Sequence, residues 1–184
     1  MRVLVTGACG LIGRAVVPLL RERGHAVAEA DVPAYDLRRP EAAYVAVHGA
    51  HFGSECIIDA VVHLAGRRAP VAKQHALAAD LLLDNLAIDV NVFRAIREHG
   101  VKRGVYASTV SVYPSIGRPD NHREEDACAL PDESVRFSAW GKLTAERAVE
   151  AMNLQDGAQI SVVRLANTYG PYDNFGEDAL VIPS

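Results

Sequence analysis

Cysteine is sparse in this 184-residue chain. Cys9, Cys56 and Cys128 are odd in number, far apart, and form no CxxC pair. That excludes a disulfide framework and points to reduced thiols in a cytoplasmic setting. No apolar run approaches the ~18–20 residues that cross a bilayer. The N-terminus leads directly into a strand, so neither a membrane span nor a signal peptide is expected. Positive charge is short as well: 19 basic residues against 23 acidic ones leave a net charge of −4. The basic pairs Arg67-Arg68 and Lys102-Arg103 are brief and balanced by nearby acids, which argues against a nucleic-acid partner. His48 and His51 stand three apart without a carboxylate or cysteine cluster, so no metal site is expected. Repeats and low-complexity tracts are missing too. What remains, 49% hydrophobic and 23% charged, suits one globular domain with a sizeable core.

The most informative stretch opens the chain. Val3 to Val5 reads as a buried strand and breaks into Thr6-Gly7-Ala8-Cys9-Gly10-Leu11-Ile12-Gly13. Strand, glycine turn and apolar-periodic helix are the context of a dinucleotide loop. Gly7 serves the tight turn, Gly10 the approach of a pyrophosphate, and Gly13 close packing of helix on sheet. Cys9, Leu11 and Ile12 fill the loop and would present backbone N–H groups to the phosphates at the helix start. The plainer alternative is an ordinary strand-to-helix turn.

A helix is expected over Leu11 to Arg23, with Ile12, Ala15, Val16, Leu19 and Leu20 on one face and a bend at Pro18. A second strand, His25 to Ala30, ends in Asp31, 18 residues beyond Gly13. At that spacing an acid accepts hydrogen bonds from the adenosine ribose, and it would repel a 2′-phosphate, favouring NAD over NADP. A surface acid before Pro33 is the alternative. Only four residues separate Asp31 from Asp36, too few for a crossover helix. Residues 40–52 are weakly helical, and Ile57 to Leu64 is a strand ending in His63-Leu64-Ala65-Gly66, small enough for a cofactor to cross.

The longest helical stretch, 75–99, carries Leu81, Leu82, Leu86, Val90, Phe93 and Ile96 at near-helical spacing, with Asn85 as either a surface amide or a site residue. A strand over Gly104 to Ser108, a functional-length loop over 114–134, a helix over 138–153 and a strand over Ile160 to Leu165 follow. This alternation predicts an α/β, Rossmann-type doubly wound parallel sheet.

Taken together, the glycine loop, Asp31, Asp36-Leu37, His63 to Gly66, Asn85, Gly100 to Arg103, Tyr106 to Thr109 with Val112-Tyr113, Lys142 with Glu146, and Arg164 to Asn167 through Pro171 resemble a known family. The chain is similar to extended short-chain dehydrogenases/reductases of the NAD-dependent epimerase/dehydratase type, which modify nucleotide sugars. Its closing Tyr169 to Phe175 and Val181 to Pro183 most resemble the branch that contains GDP-fucose synthase. The resemblance implies NAD as cofactor. Asp36 and Leu37 would border the adenine, and Leu64, Ala65 and Gly66 the pyrophosphate and ribose. Arg68, Asn85 and Ser108 would be further cofactor contacts. It also implies Thr109 as the catalytic Ser/Thr, in contact with substrate, Lys142 as the lysine of a Tyr-x-x-x-Lys pair, and Asn167 facing the substrate. A homodimer through helices 75–99 and 138–153 is implied as well.

Two departures stand out. Four residues before Lys142, where the resemblance calls for the tyrosine base, stands Ser138. A serine hydroxyl is a weaker acid than a phenol and reaches less far, and losing a general base costs ~10²–10⁴ in rate. Three explanations stay open: another group, such as Thr109, a water, Tyr113 or Tyr169, serves as base; the chain keeps NAD binding as a non-catalytic module; or the tyrosine was removed deliberately. The second departure is length. Residues 1–170 are expected to form the NAD-binding domain and 171–184 the start of a substrate domain that is largely missing.

Overall fold

The computed structural model describes residues 1–49, 57–114, 124–127 and 136–173. Most of the 114–134 loop, His51, Cys56, Cys128, Phe175 and the Val181 to Pro183 segment lie outside the described residues. Five strands form one parallel sheet: β1 (Arg2–Thr6), β2 (Ala26–Ala30), β3 (Ala60–His63), β4 (Arg103–Thr109) and β5 (Gln159–Leu165), in the order β2-β1-β3-β4-β5. Five helices intervene: α1 (Leu11–Glu22), α2 (Pro40–His48), the single turn α3 (Val71–Gln74), α4 (Ala78–Glu98) and α5 (Arg136–Asp156). The order reverses between β1 and β3, so the first crossover covers one face and the later ones the other.

Alternation along β1 divides the core. Val3 and Val5 join Ala8 and Val17 on the α1 side, whereas Leu4 joins the larger cluster built from α2, α4 and α5. Sequence periodicity misplaces the buried face of α1. Ala15 and Leu19 are exposed, and the inward stripe is Gly13, Val17 and Leu20. Gly13 sets this rotation, because it must lie against the glycine loop. The helix runs on through Pro18, which is exposed and has no N–H to donate to the Arg14 carbonyl.

The short Asp31–Asp36 connection holds no helix, as expected; the crossover helix comes afterwards as the nine-residue α2. It starts at Pro40, whose fixed φ suits a first helical position. In α4 the inward stripe is Leu81, Asn85, Asp89, Val92 and Ile96. Val90 is exposed instead of buried, and Asn85 is a buried amide, not a surface one. Two polar residues therefore occupy positions that an apolar pattern cannot register.

Candidate functional site

All five strands point their carboxyl ends at one rim, and a cleft of about 500 Å³ opens there at the β1/β3 reversal. Gly7, Cys9 and Gly10 form one wall, Asp31 and residues 35–38 the second, and Leu64 to Arg67 the third. Gly7 adopts φ of +68°, and a Cβ there would come within 2.8 Å of the Ala65 backbone. The loop and the β3 end thus touch backbone to backbone. No side chain caps the N-terminus of α1 at Gly10, and no acid sits in its first turn. Its unpaired N–H groups and positive dipole end are left for an anion.

Asp31 closes the loop from the β2 side: one carboxylate oxygen accepts from the Cys9 N–H and the other from the Val32 N–H, both at 2.8 Å. Asp36 grips Arg38 with both oxygens at 2.9 Å, and that pairing lowers its carboxyl pKa to about 2. Asp84 of α4 draws Arg67 (2.8 Å) and Arg38 (3.4 Å) over the same end of the cleft. Leu37 both lines the cleft and is buried in the core, its carbonyl held by Asn91 Nδ2 at 3.0 Å. Asn85 accepts from the Arg67 N–H at 2.7 Å and donates to the Arg67 carbonyl at 2.9 Å, fixing the strand end next to Gly66.

Beneath the cleft lies a polar network that the sequence does not advertise. Thr6 Oγ1 accepts from the Ala65 N–H and lies 2.6 Å from His63 Nδ1. His63 Nε2 faces Asp89 Oδ1 at 3.1 Å, and Tyr106 donates its hydroxyl to Asp89 Oδ2 at 2.8 Å. The threonine proton therefore goes to Nδ1 and the imidazole proton to Asp89, so each of these groups is paired. Burial first, then the Asp89 charge, push the Tyr106 phenol far above the usual range. A second network follows one turn beyond Lys142. Glu146, 6% exposed, accepts from Ser108 and from a two-pronged Arg164 (2.7 and 3.1 Å), which also donates to Tyr113 Oη at 2.9 Å. The spacing of His63 to Asp89 and Ser108 to Glu146 is too long-range for a sequence pattern to pair them.

Ser138, Lys142 and Glu146 share one face of α5. Lys142 Nζ stands 4.5 Å from the Tyr106 ring centroid and beside Gly66. Ser138 Oγ donates to Gln74 Oε1 at 3.2 Å. Thr109, at the end of β4, bonds to the Ser111 N–H and hydroxyl, both at 3.2 Å. Three of the expected site residues do not line this cleft. Ser108 points to Glu146, Arg68 is paired with Asp173 at 2.9 Å, and Asn167 is exposed beyond β5. Among the described residues no cluster could hold a metal, and no helix is long and apolar enough to cross a membrane.

Fold and cleft together define a doubly wound α/β protein with a glycine-loop nucleotide cleft. The pattern of the NAD dependent epimerase/dehydratase family matches residues 3–184, and the chain belongs to that family. It is 26% identical over 186 residues to GDP-L-fucose synthase of Escherichia coli, covering all of this chain and 56% of that protein. It is 30% identical to UDP-glucose 4-epimerase of Corynebacterium glutamicum, covering 97% and 54%. The chain spans about half the length of the curated relatives it matches. Among solved structures it resembles a GDP-D-glycero-L-gluco-heptose synthase from Campylobacter jejuni, determined in the presence of NADPH (TM-score 0.85, 23% identity, covering 97% and 51%). It also resembles UDP-glucose 4-epimerase of Thermus thermophilus in complex with NAD (TM-score 0.74, 25% identity, covering 89% and 54%).

Proposed function

We propose that this chain is the cofactor half of an NAD-dependent enzyme of the epimerase/dehydratase type acting on nucleotide sugars, with residues 1–170 as the binding domain and 171–184 leading into a substrate domain. The observation that carries this reading is the uncapped start of α1 facing a cleft closed by Asp31. The residues fit a dinucleotide: backbone amides for a pyrophosphate, Asp31 for ribose hydroxyls, and the wall at 35–38 for an adenine. Gly66 adds an open strand end where a Cβ would meet Asn85 Oδ1 at 3.3 Å. Three acids and two arginines line the cleft, which disfavours a further 2′-phosphate and supports NAD over NADP. When bound, the cofactor supplies reversible hydride acceptance. Thr109 polarises the sugar oxygen, and Lys142 holds the nicotinamide ribose beside Gly66.

Exposed Leu83, Val90 and Trp140 on α4 and α5 support a homodimer through these helices, and the exposed thiol of Cys9 suits a reducing cytoplasm. Calorimetric titration should show NAD binding that weakens about tenfold in Asp31→Ala, the scale of one charge-assisted hydrogen bond. No uptake of NAD or NADP by folded protein would end this reading. Position 138 separates two versions of it. If the site is a damaged dehydrogenase, Ser138→Tyr raises turnover of a GDP- or UDP-sugar at least about tenfold. The absence of a phenol at position 138 supports a second version, a non-catalytic NAD-binding module, in which that substitution changes nothing.

A further inference from the structure

The sequence holds three lysines, Lys73, Lys102 and Lys142, against sixteen arginines. Lys102 Nζ is bonded to the Asp156 carbonyl at 2.7 Å. Lys142 Nζ makes no hydrogen bond or ion pair to another described residue. It rests over the Tyr106 ring and lies 3.9 Å from where a Cβ on Gly66 would sit, at the cleft. Three of the hydroxyls that could replace the missing phenol are already engaged, and the fourth, Tyr169, is 68% exposed beyond β5. Ser138 is bonded to Gln74, Thr109 to Ser111, and Tyr113 receives a guanidinium N–H from Arg164.

We propose that Lys142, as a neutral amine, is itself the proton acceptor of this site. The inference rests on the reading of the cleft as a nicotinamide-dinucleotide enzyme site. In the step, the O–H bond of a sugar alcohol breaks as an N–H bond forms at Nζ, giving an ammonium. The carbinol carbon is oxidised to a ketone as its hydrogen leaves, with the electron pair, for the nicotinamide ring, which is reduced. The return step reverses each transfer, so atoms and electrons balance.

The surroundings suit an amine that can exist unprotonated. Burial holds the Lys142 ammonium below the ordinary lysine range, with Asp89 and Glu146 pulling the other way. Both acids are already engaged, Asp89 by Tyr106 and His63, Glu146 by Arg164 and Ser108. On the β3 loop, Arg67 is matched by Asp84 and Arg68 by Asp173. On β4 the facing group is the Tyr106 ring, neutral throughout the working range.

Three lysines make the test direct. Reductive methylation with ¹³C-formaldehyde labels each one, and Lys142→Met assigns its signal. Lys142 is expected to titrate at least tenfold more acidic than Lys73 and Lys102; titration alongside them overturns the proposal. The second arm uses unmodified protein, with NAD as cofactor and UDP-glucose or GDP-mannose as alcohol, followed in a single turnover. The acid limb of hydride transfer should coincide with the Lys142 titration. Lys142→Met and Lys142→Arg should each lose at least about 100-fold in the rate of hydride transfer measured at saturating NAD. An arginine that sustains the rate, or a limb that ignores the titration, sinks the assignment. Failure of the unmodified protein to bind NAD refutes the cleft reading instead. Binding without any hydride transfer refutes the proton-acceptor role and leaves the non-catalytic module.

Discussion

Gly13→Ala is expected to unfold or severely loosen the amino-terminal loop, with a loss of more than about 3 kcal/mol, above the usual 1–3 kcal/mol of an overpacked site. The added Cβ would fall within 2.6 Å of the Gly7 and Ala8 carbonyl oxygens and of Ala8 Cα. These are backbone atoms of a turn pinned on both sides. Gly7 donates its N–H to the Ala30 carbonyl at 2.9 Å, and a Cβ on it would meet the Ala65 backbone at 2.8 Å. No rotamer can relieve the clash, so α1 must lift from the sheet and take Val17 and Leu20 from their cluster. Against a typical total stability of about 5–15 kcal/mol this is a large fraction. Urea unfolding measures it, and NAD titration of any folded fraction should show binding lost. Gly24→Ala is a useful contrast. Nothing lies within 4 Å of a Cβ there, and only its φ of +76° is at issue. Equal denaturation midpoints for the two variants would show that the loop packing described here is wrong.

Glu146→Ala is expected to cost about 3–5 kcal/mol, the scale of removing one partner from a buried ion pair. The carboxylate is the shared acceptor of Ser108 and Arg164, and Arg164 is itself only 19% exposed. Without it the guanidinium keeps Tyr113 and the Glu124 carbonyl but no counter-charge. Glu146→Gln should cost less, because an amide oxygen still accepts from Ser108. The ordering Ala worse than Gln, read from urea midpoints, checks the assignment. A loss below about 1 kcal/mol in the alanine variant would place this pair with exposed ones.

Much of this architecture was legible in residue order because local rules act there. Gly7, Gly10 and Gly13 announce the loop, Gly100 ends α4, and the spacing of apolar runs marks all five strands within a few residues. The burial of individual positions was harder to see. Apolar periodicity places Val90 on the inner face of α4, whereas it is exposed; it leaves Asn85 open between a surface amide and a site residue, and the structure buries it. Asn85 is buried because the strand end it holds, at Arg67, has backbone groups needing partners, and that demand arises only once β3 and α4 are packed together. The same applies to Asp89. Its partners His63 and Tyr106 lie on different strands, so nothing near it in the chain signals its role. Ser108, which the resemblance makes a cofactor contact, turns its side chain toward Glu146, a partner 38 residues away that no local pattern signals.

The sealed phenol of Tyr106 also sets an alkaline limit on the fold. Of six tyrosines, Tyr35, Tyr44, Tyr113, Tyr169 and Tyr172 are not fully enclosed, whereas Tyr106 has no exposed surface. In the unfolded chain its hydroxyl ionises near the ordinary value of 10.0, but in the folded protein far higher. Stability from this group is complete below that ordinary value and drains away as base is added above it. In an ultraviolet titration, one tyrosine should stay dark until the whole domain opens, making that ring a built-in optical witness of global melting.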